Sequence, residues 1–321
     1  MPLFITESEV EQLLSVPLCI GALHASFANQ AERSVINHPR RRLLLPGGTF
    51  HFMEAADLGL GRAAIKTYAS YPPKTRFLVL LYDTATGDLL AIIEADRLGQ
   101  LRTGAATGLA TQLLSNDDAS ALAVFGSGWQ AETQVLAIAT VRKLTEIRVF
   151  SRSEEKRAAF ASKMETALNT KCVAVESPAA ALKGAHIIVT ATTSRAPVFD
   201  GKDLEYGTHV NAVGSNMLSR AEIDITTVTR AKKIVVDSIE QAKMEAGDLL
   251  PAVDARKLRW EEVFELHQIV SGATIGRTGD EEITLFKSIG VALEDVAAAS
   301  LVFDRAVEAG LGRQMEMWAQ N

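Results

Sequence analysis

The chain has 321 residues, of which 47% are hydrophobic and 22% are charged, and its formal net charge is −6. This composition is typical of a globular protein with room for two domains, and the negative charge argues against a surface for nucleic acid or anionic membrane. No apolar run reaches the roughly 18 residues of a membrane span. The six histidines show no metal-ligand spacing and the two cysteines are far apart, so we expect a cytoplasmic protein with free thiols and no metal.

The first segment is expected to form a helix and then a strand rich in arginine. Apolar residues at helical spacing predict a helix over residues 3–35 after a short start. Leucines before a Pro-Gly-Gly turn then indicate a strand that begins near Arg40, Arg41 and Arg42. Since side chains alternate along a strand, Arg40 and Arg42 would point to one side and Arg41 to the other.

Further strands are predicted before the first long internal helix. Residues 50–54 and 59–68 have strand character, and the second run carries Lys66 after two apolar residues. Residues 77–82 and 89–94 flank the turn-forming sequence Asp-Thr-Ala-Thr-Gly-Asp, which predicts a hairpin. This order of elements favours an α+β domain with a mostly antiparallel sheet.

A helix rich in small residues is predicted over residues 97–115, and the polar sequence 115–118 follows it. Small side chains allow a helix to pack tightly or to border a ligand. Arg102 and Thr103 are placed at the helix start, where a guanidinium beside open backbone N–H groups would bind an anion. The polar sequence is taken as the boundary between two domains.

The stretch from Leu122 to Ser153 predicts a strand, a glycine turn, a helix and a second strand. The turn reads Gly-Ser-Gly-Trp-Gln-Ala and lies between an apolar strand and a helical pattern, as a dinucleotide-binding βαβ unit requires. Gly126 would permit the tight turn, Gly128 the approach of a pyrophosphate, and Ala131 close packing of helix on strand. The helix N-terminus would direct N–H groups at the phosphates. The alternative is a glycine turn in an α/β sheet that binds nothing.

The end of the second strand indicates which dinucleotide is bound. Ser151, Arg152 and Ser153 occupy the place where an Asp or Glu would hold a ribose 2′-hydroxyl, and the first carboxylate is Glu154. An arginine flanked by two hydroxyls binds a 2′-phosphate through charge-assisted hydrogen bonds, whereas a carboxylate would repel it. We therefore expect NADPH to be preferred over NADH, unless Arg152 is a solvated residue at a helix start.

The chain then alternates strands and helices to about residue 290, which predicts a doubly wound sheet and an α/β fold. Ligands bind at the carboxyl ends of the strands in such folds. A last strand near 283–290 leads into a helix over 291–309. The residues expected to contact the cofactor are Thr103, Gly126, Ser127, Gly128, Trp129, Gln130, Ala131, Ser151, Arg152, Ser153, Thr190, Ala191, Thr192, Val213 and Ser288.

Several segments together carry a resemblance, and these are Leu101–Ala105, the turn at Gly126, Asn211–Gly214 and Leu285–Asp295. In their order and spacing the sequence resembles the ornithine cyclodeaminase/mu-crystallin family from Pro39 to Gly312. The resemblance implies NAD(P)-dependent chemistry at the α-carbon of amino or imino acids, and a homodimer. It also implies a substrate-binding and dimerisation domain at 1–118 and 291–321, with an NADP-binding Rossmann domain at 119–290.

The resemblance further implies that three basic residues hold the substrate carboxylate, and they fall here on Arg40, Lys66 and Arg102. The neighbouring Arg41 and Arg42 leave the first of these assignments open. A carboxylate bound by two or three cations is fixed in position, and positioning the α-carbon is most of what hydride transfer requires from a protein. Otherwise Lys66 would be a surface lysine and Arg102 a salt-bridge partner.

One position departs from the cyclodeaminase pattern. An Asp that contacts the amino end of the substrate in cyclodeaminases is replaced by Asn216, in the sequence Gly-Ser-Asn. Asn carries no charge to hold an ammonium and cannot act as a general base, so cyclodeamination is disfavoured. We place Asn216 beside the imine or the nicotinamide ribose, among the catalytic residues with Lys66 and Arg102, unless it only closes a turn.

We therefore predict NADPH-dependent reduction of a cyclic ketimine acid, Δ1-pyrroline-2-carboxylate or Δ1-piperideine-2-carboxylate, to L-proline or L-pipecolate. One alternative is an amino-acid dehydrogenase that aminates a 2-oxo acid reductively. A second is a cyclodeaminase-type lyase without net cofactor consumption. A third is a non-catalytic protein that binds NADPH and a small ligand. The proton donor is open between Lys66 and a bound water.

Overall fold

The computed structural model describes residues 1–71 and 74–317. The chain divides into two compact units, Met1–Arg102 with Val291–Asn321, and Thr103–Gly290. In chain order, the elements are β1 (Leu3–Ile5), α1 (Glu7–Leu13), α2 (Val16–Ala31), β2 (Val35–Asn37), β3 (Arg41–Leu45), β4 (Gly48–Asp57), β5 (Arg62–Tyr71), β6 (Lys74–Asp83), β7 (Leu89–Glu94), α3 (Asp96–Leu114), β8 (Ala121–Phe125), α4 (Trp129–Val141), β9 (Glu146–Phe150), α5 (Glu154–Leu168), β10 (Lys171–Ala174), α6 (Pro178–Leu182), β11 (Ile187–Thr190), β12 (His209–Ala212), α7 (Ile225–Arg230), β13 (Lys233–Val236), α8 (Ile239–Glu245), α9 (Leu250–Asp254), β14 (Val263–Glu265), α10 (Leu266–Val270), β15 (Thr284–Lys287), α11 (Ala292–Ala309) and β16 (Arg313–Gln314). The first division between the units falls within α3, earlier than the polar sequence 115–118.

The first unit is built on a mostly antiparallel sheet with the order β16-β1-β7-β6-β5-β4-β2, in which β3 also pairs with β4. Only the pair of β1 and β7 is parallel among the described strands of this sheet. Side chains alternate along β4 to β6, so Met53, Lys66 and Val79 lie opposite each other on one face. Helix α11 packs on β4 and β5, and we call the face that carries these three residues the inner face.

The expected helix over residues 3–35 is divided into a strand and two helices. Helix α1 starts after Thr6, whose backbone N–H donates to the Glu9 carboxylate at 2.8 Å. Leu14 is extended, and α2 then starts with Pro17 in its first turn. Proline is tolerated in a first turn because its missing N–H would have no partner there, so this position favours a new helix start.

The expected helix start at Arg102 and Thr103 is wrong. Helix α3 begins at Asp96, and the N–H of Gly99 already donates to Ala95 O at 3.0 Å. The N–H groups of Arg102 and Thr103 therefore lie inside the helix, where the α-helical pattern uses them. Any anion binding by Arg102 has to come from its guanidinium.

The second unit contains a parallel sheet with the order β10-β9-β8-β11-β12-β15-β13-β14. The chain moves outward from β8 to β9 and β10, and then returns to β11 on the other side of β8. This order confirms the expected α/β fold with a doubly wound sheet. Its switch point lies between β8 and β11, where folds of this kind bind their ligands at the carboxyl ends of the strands.

Apolar packing on both faces explains the continuous hydrophobic strands of the second unit. Every residue of β11, β12 and β15 is buried, as expected for parallel strands with both faces covered. Helix α3 also packs closely here: a Cβ added at Gly104 would lie 2.6 Å from Thr133 O on α4. The small residues of α3 therefore serve tight packing.

Within residues 1–71 and 74–317, no single helix is long and apolar enough to cross a membrane. Helices α1 and α2 meet that length and composition only as a pair, and they are bent by 83° at the break between them. The same residues contain no cluster of three or more His, Cys, Asp or Glu side chains that could hold a metal ion. Cys19 and Cys172 are buried free thiols.

Candidate active site

The first unit buries the side chains of two arginines and a lysine among its described residues. Arg40, Lys66 and Arg102 are 3%, 3% and 6% exposed, respectively. Lys66 extends from β5 on the inner face, and a Cβ added at Gly99 would lie 3.2 Å from its Nζ. A charge taken out of water is costly unless it is paired, so partners for these cations are expected close by.

The first turn of α11 supplies carboxylate partners. Lys66 Nζ donates to Asp295 Oδ1 at 2.9 Å, and Arg102 Nε donates to the same oxygen at 3.1 Å. Arg102 Nη1 donates to Glu294 Oε2 at 2.6 Å. Both carboxylates are 1% exposed, and acids are favoured at a helix N-terminus by its partial positive charge. No role for Glu294 or Asp295 follows from the sequence pattern alone.

The cluster of Arg40, Lys66, Arg102, Glu294 and Asp295 is called the carboxylate clamp below. It combines three cations with two carboxylates, and the cations are of the kind that binds the carboxylate of a small ligand. Burial, followed by the positive charge of Arg102, lowers the pKa of Lys66 to about 8, and Asp295 opposes the shift. At neutral pH Lys66 is therefore protonated, but it gives up its proton more readily than an ordinary lysine.

The three adjacent arginines lie on two sides of β3. Arg41 Nη2 binds Glu54 Oε1 at 2.6 Å, and the Arg41 side chain is exposed. Arg42 pairs in register with His51. Burial, followed by Arg42 and Arg40, lowers the pKa of His51 to about 4. Arg40 and Arg42 therefore lie on the side of the sheet that carries His51, whereas Arg41 points to the opposite side.

A row of rings continues from Lys66 along the inner face. Lys66 Nζ lies 5.3 Å from the centroid of the Phe77 ring, which lies 4.6 Å from that of Tyr68. Tyr68 in turn stacks on His51 with centroids 4.1 Å apart and an interplanar angle of 3°. His51 is uncharged at neutral pH because of its low pKa. The pair of His51 and Tyr68 is thus flat and neutral, and the tilted ring of Phe77 connects it to Lys66 of the carboxylate clamp.

The two glycines of the turn in the second unit differ in the space around them. Gly126 has φ +114°, and a Cβ added there would lie 2.4 Å from Ala191 O, so a side chain does not fit. At Gly128, an added Cβ would meet nothing within 4 Å. Gly128 is the N-cap of the 13-residue helix α4, and it leaves the helix start open to an anion. The turn therefore fits the pyrophosphate of a dinucleotide.

The serines predicted to bind the cofactor form one corner beside this turn. Ser127 Oγ donates to Ser151 Oγ at 2.9 Å, and Ser151 Oγ donates to Ser153 O at 3.2 Å. Arg152 is exposed there. Arg157 Nη1 donates to Ser151 O at 3.2 Å, so a second guanidinium lies at this corner. The sequence pattern does not single out Arg157, because it lies inside helix α5 rather than at the strand end.

The other predicted cofactor residues lie in several environments. Gln130, Ala191, Thr192, Val213 and Thr103 are half-buried. Trp129 is 50% exposed at the start of α4, and Ala131 is fully buried beneath it. Thr190 is also fully buried, and Ser288 Oγ donates to Asp237 Oδ2 at 3.0 Å. Asn216 is half-buried in the loop after β12.

The parallel sheet with its phosphate turn, together with the buried carboxylate clamp, defines a dinucleotide-dependent oxidoreductase that acts on a small organic acid. The sequence profile of the ornithine cyclodeaminase/mu-crystallin family matches residues 1–310. The chain belongs to that family.

Characterised relatives and solved structures are similar over most of the chain. A Δ1-pyrroline-2-carboxylate reductase of Bacillus cereus is 38% identical over 240 residues, which cover 74% of each chain. The structure of Thermococcus litoralis Δ1-pyrroline-2-carboxylate reductase with NADH and L-proline has a TM-score of 0.93 at 32% identity, covering 98% of this chain and 100% of the other. An archaeal alanine dehydrogenase dimer with bound NAD has a TM-score of 0.93 at 31% identity, covering 99% of both chains.

Proposed function

We propose that the protein is an NADPH-dependent reductase of cyclic ketimine acids, which converts Δ1-pyrroline-2-carboxylate or Δ1-piperideine-2-carboxylate to L-proline or L-pipecolate. The observation that carries this proposal is the carboxylate clamp, with Arg40, Lys66 and Arg102 buried together. The two similar reductases support the choice of substrate class.

The carboxylate clamp would hold the acid group of the imine. Asp295 and Glu294 fix the ends of Lys66 and Arg102 by hydrogen bonds of 2.6 to 3.1 Å. Charge-assisted hydrogen bonds from these cations would then bind the substrate carboxylate and set its orientation. Holding the acid group in this way fixes C2, the carbon that is reduced.

The surroundings of the clamp favour a flat ring over a diamino acid. His51 is neutral, and the positive charges of Arg42 and Arg40 both lower its pKa. A second ammonium, as in ornithine, would be repelled by these cations, whereas a cyclic imine brings only an apolar ring. The stacked pair of His51 and Tyr68 gives such a ring a flat surface.

The residues from Gly126 to Ala131 would hold the pyrophosphate of the dinucleotide. When the dinucleotide is bound, its reduced nicotinamide supplies a hydride to C2 of the imine. The preference for NADPH is supported by Ser151, Arg152 and Ser153, and by the additional Arg157. Two guanidinium groups and two hydroxyl groups match the three oxygens of a 2′-phosphate.

We infer that Lys66 also holds the proton that the imine nitrogen needs. Its pKa of about 8 leaves it protonated at neutral pH, yet close enough to neutrality to act as a general acid. A bound water is the alternative donor. The amide of Asn216 would orient the imine or the nicotinamide ribose by hydrogen bonding, since it can both donate and accept.

A second candidate function is the reductive amination of a 2-oxo acid. The similar archaeal alanine dehydrogenase favours it. The same clamp would hold the acid group of an open-chain imine formed from the oxo acid and an amine. The two functions therefore differ in the carbon skeleton of the substrate and not in how its carboxylate is held.

We further propose that the protein is a homodimer in which the outer face of the first sheet is covered. Ile36, Leu43, Phe50, Ile65 and Leu78 lie on that face and are 37% to 56% exposed. A continuous apolar surface of this kind usually marks an interface. The similar alanine dehydrogenase is a dimer.

The buried free thiols of Cys19 and Cys172 fit a reducing compartment, so we place the protein in the cytoplasm.

Initial rates of NADPH and NADH oxidation test the function. We expect turnover of both cyclic imines with a higher kcat/KM than for pyruvate with ammonia or methylamine. Lys66→Met should abolish turnover, while Lys163→Met, which removes an exposed lysine on α5, should leave it unchanged. No turnover of either imine between about pH 5 and 9, the range in which general acids work, would remove the proposal.

A further inference from the structure

A buried carboxylate outside the phosphate turn binds two loops of the second unit together. Glu222 is 0% exposed. Its Oε1 accepts the N–H of Thr192 at 2.6 Å, and its Oε2 accepts the N–H of Gly214 at 2.6 Å and the hydroxyl of Thr190 at 2.9 Å. Thr190 and Thr192 lie at the end of β11, and Gly214 follows β12. One side chain thus ties together the carboxyl ends of two neighbouring strands.

These loops are packed against the phosphate turn through backbone atoms. A Cβ added at Gly126 would lie 2.4 Å from Ala191 O and 3.3 Å from Thr192 Cγ2. A Cβ added at Gly214 would lie 2.4 Å from both N and O of Thr192, and 2.5 Å from Glu222 Oε1. The layer from Gly126 to Glu222 has no space for a side chain, so a shift of Glu222 has to displace backbone.

A buried ion pair fixes the same region from the opposite side. Lys287 Nζ donates to Ser215 O at 2.6 Å and lies 2.8 Å from Asp248 Oδ2. Asp248 Oδ1 accepts the N–H groups of Glu222 at 2.5 Å and of Ile223 at 3.2 Å. Lys287 and Asp248 are both fully buried. The carboxylate of Glu222 is therefore held by its own backbone as well as by the loops that it binds.

The sheet order indicates which half of a dinucleotide these loops serve. A doubly wound sheet consists of two mononucleotide-binding halves that meet at the switch point. The glycine turn and the corner at Arg152 belong to the half formed by β8 to β10, which takes the adenosine end. The loops after β11 and β12 belong to the other half, and that half takes the nicotinamide end.

We propose that Glu222 is a positioning residue that fixes the loops Thr190–Thr192 and Val213–Asn216 in the shape that receives the nicotinamide riboside. This proposal rests on the proposed function, since it assumes that a nicotinamide dinucleotide is the ligand. Glu222 is fully buried, and it acts through the backbone N–H groups from which it accepts hydrogen bonds.

The geometry requires a carboxylate at this position. Both oxygens of Glu222 accept hydrogen bonds, whereas a glutamine has one oxygen and an NH2 group that would face another donor. Burial raises the pKa of Glu222, while Lys287 and the donors from Thr192 oppose that rise. A glutamine would remove the buried charge but would force either Thr192 or Gly214 away.

Dinucleotide binding without substrate tests the proposal. Calorimetry on Glu222→Gln would measure the binding of NADPH and NADH, and also of 2′-phospho-ADP and ADP, which lack the nicotinamide riboside. We expect ~10-fold weaker binding of the complete dinucleotides, with the fragments within about twofold of wild type. Equal weakening of dinucleotides and fragments, or no weakening of either, would overturn it. Since no imine is present, these results stand even if the wild type reduces neither cyclic imine.

Glu265→Gln is the matched control, because Glu265 lies at the end of β14 and also accepts a backbone N–H, that of Ile239 at 2.6 Å. It should bind every ligand as the wild type does. If Glu222→Gln does not fold, Thr190→Val and Thr190→Ser replace it. The serine keeps the hydroxyl that donates to Glu222 and should retain the wild-type ratio of dinucleotide to fragment affinity. The valine should lower this ratio, and an unchanged ratio in Thr190→Val would overturn the proposal.

Discussion

In the second unit, the phosphate turn presents backbone groups from one short stretch, Gly126 to Ala131. The carboxylate clamp of the first unit instead collects side chains from β5, α3 and α11, together with Arg40 next to β3. The turn depends on the absence of side chains, since a Cβ at Gly126 would meet Ala191 O at 2.4 Å. The clamp depends on side chains that carry full charges and are nevertheless buried.

This difference determines how each site responds to change. A backbone site is insensitive to pH, and it is lost when a side chain enters its space. A site made of buried charges is sensitive to pH, and it is lost when one partner is removed, because the remaining charges stay out of water. The following substitutions test these two kinds of behaviour in turn.

The largest effect is expected from Arg102→Met. It removes one partner of Glu294, at 2.6 Å, and one partner of Asp295, at 3.1 Å, and both carboxylates are buried. We expect the free energy of unfolding to fall by about 3–5 kcal/mol in chemical denaturation. The matched control is Arg76→Met, since the exposed Arg76 also binds a carboxylate, Asp96, at 3.0 Å, and its loss should cost less than about 1 kcal/mol. Equal losses in the two variants would contradict the role of burial.

Two glycines of the phosphate turn should respond differently to the same change. Gly126→Ala places a methyl group against Ala191 O at positive φ, so we expect unfolding to become easier by about 1–3 kcal/mol. Gly128→Ala meets nothing within 4 Å and should leave stability unchanged. Both should weaken NADPH binding, because both put a side chain where the turn has to be bare. Tight NADPH binding by Gly128→Ala would show that the pyrophosphate lies elsewhere.

The carboxylate clamp should lose activity at high pH. The folded-state pKa of Lys66 is lowered to about 8, so its ammonium is present below that pH and is lost above it. We expect kcat/KM for the imine to fall about tenfold per pH unit above about 8. Lys66→Arg, whose side chain stays charged, should have lower activity without this fall. Dividing kcat/KM of the wild type by that of Lys66→Arg at each pH cancels the titration of the substrate. If this ratio stays constant up to high pH, Lys66 is excluded as the titrating group.

The smallest effect is expected from Arg152→Ala at the serine corner. Removal of one of two guanidinium groups should lower the ratio of NADPH to NADH affinity by about tenfold. The affinity for NADH should change little, because Arg152 faces only the 2′-phosphate in this account. Lys163→Ala is the control, since Lys163 lies on α5, the helix that follows Arg152, but pairs with Glu132. An unchanged ratio of NADPH to NADH affinity in Arg152→Ala would show that Arg152 does not contribute to a preference for NADPH.

The phosphate turn could be predicted from the sequence because all of its requirements lie within a few adjacent residues. The clamp could not be derived in this way. The positions of Arg40, Lys66 and Arg102 follow from the family resemblance, and the partner Asp295 lies 229 residues after Lys66. No local periodicity connects residues so far apart, and pairing between them is decided by packing of α11 on the sheet. Glu222 is missed for the same reason, since its partners are two backbone N–H groups and one hydroxyl from distant parts of the chain.

Element types were also easier to predict than their ends. The strand expected over residues 59–68 is β5, but it begins only at Arg62 because Gly61 adopts φ +66° in a turn. The start of α3 at Asp96 moves Arg102 and Thr103 into the helix interior, although their composition suits a helix start. Turn conformation and helix capping depend on contacts that residue spacing alone does not define.

Product stoichiometry tests the central claim most directly. The protein would be incubated with Δ1-pyrroline-2-carboxylate and a known amount of NADPH, and L-proline would be measured by chiral chromatography while cofactor oxidation is followed. Reduction at C2 predicts one L-proline formed for each NADPH oxidised. Proline that accumulates without net oxidation of the cofactor, or an imine that is not consumed at all, would contradict the assignment as a ketimine reductase.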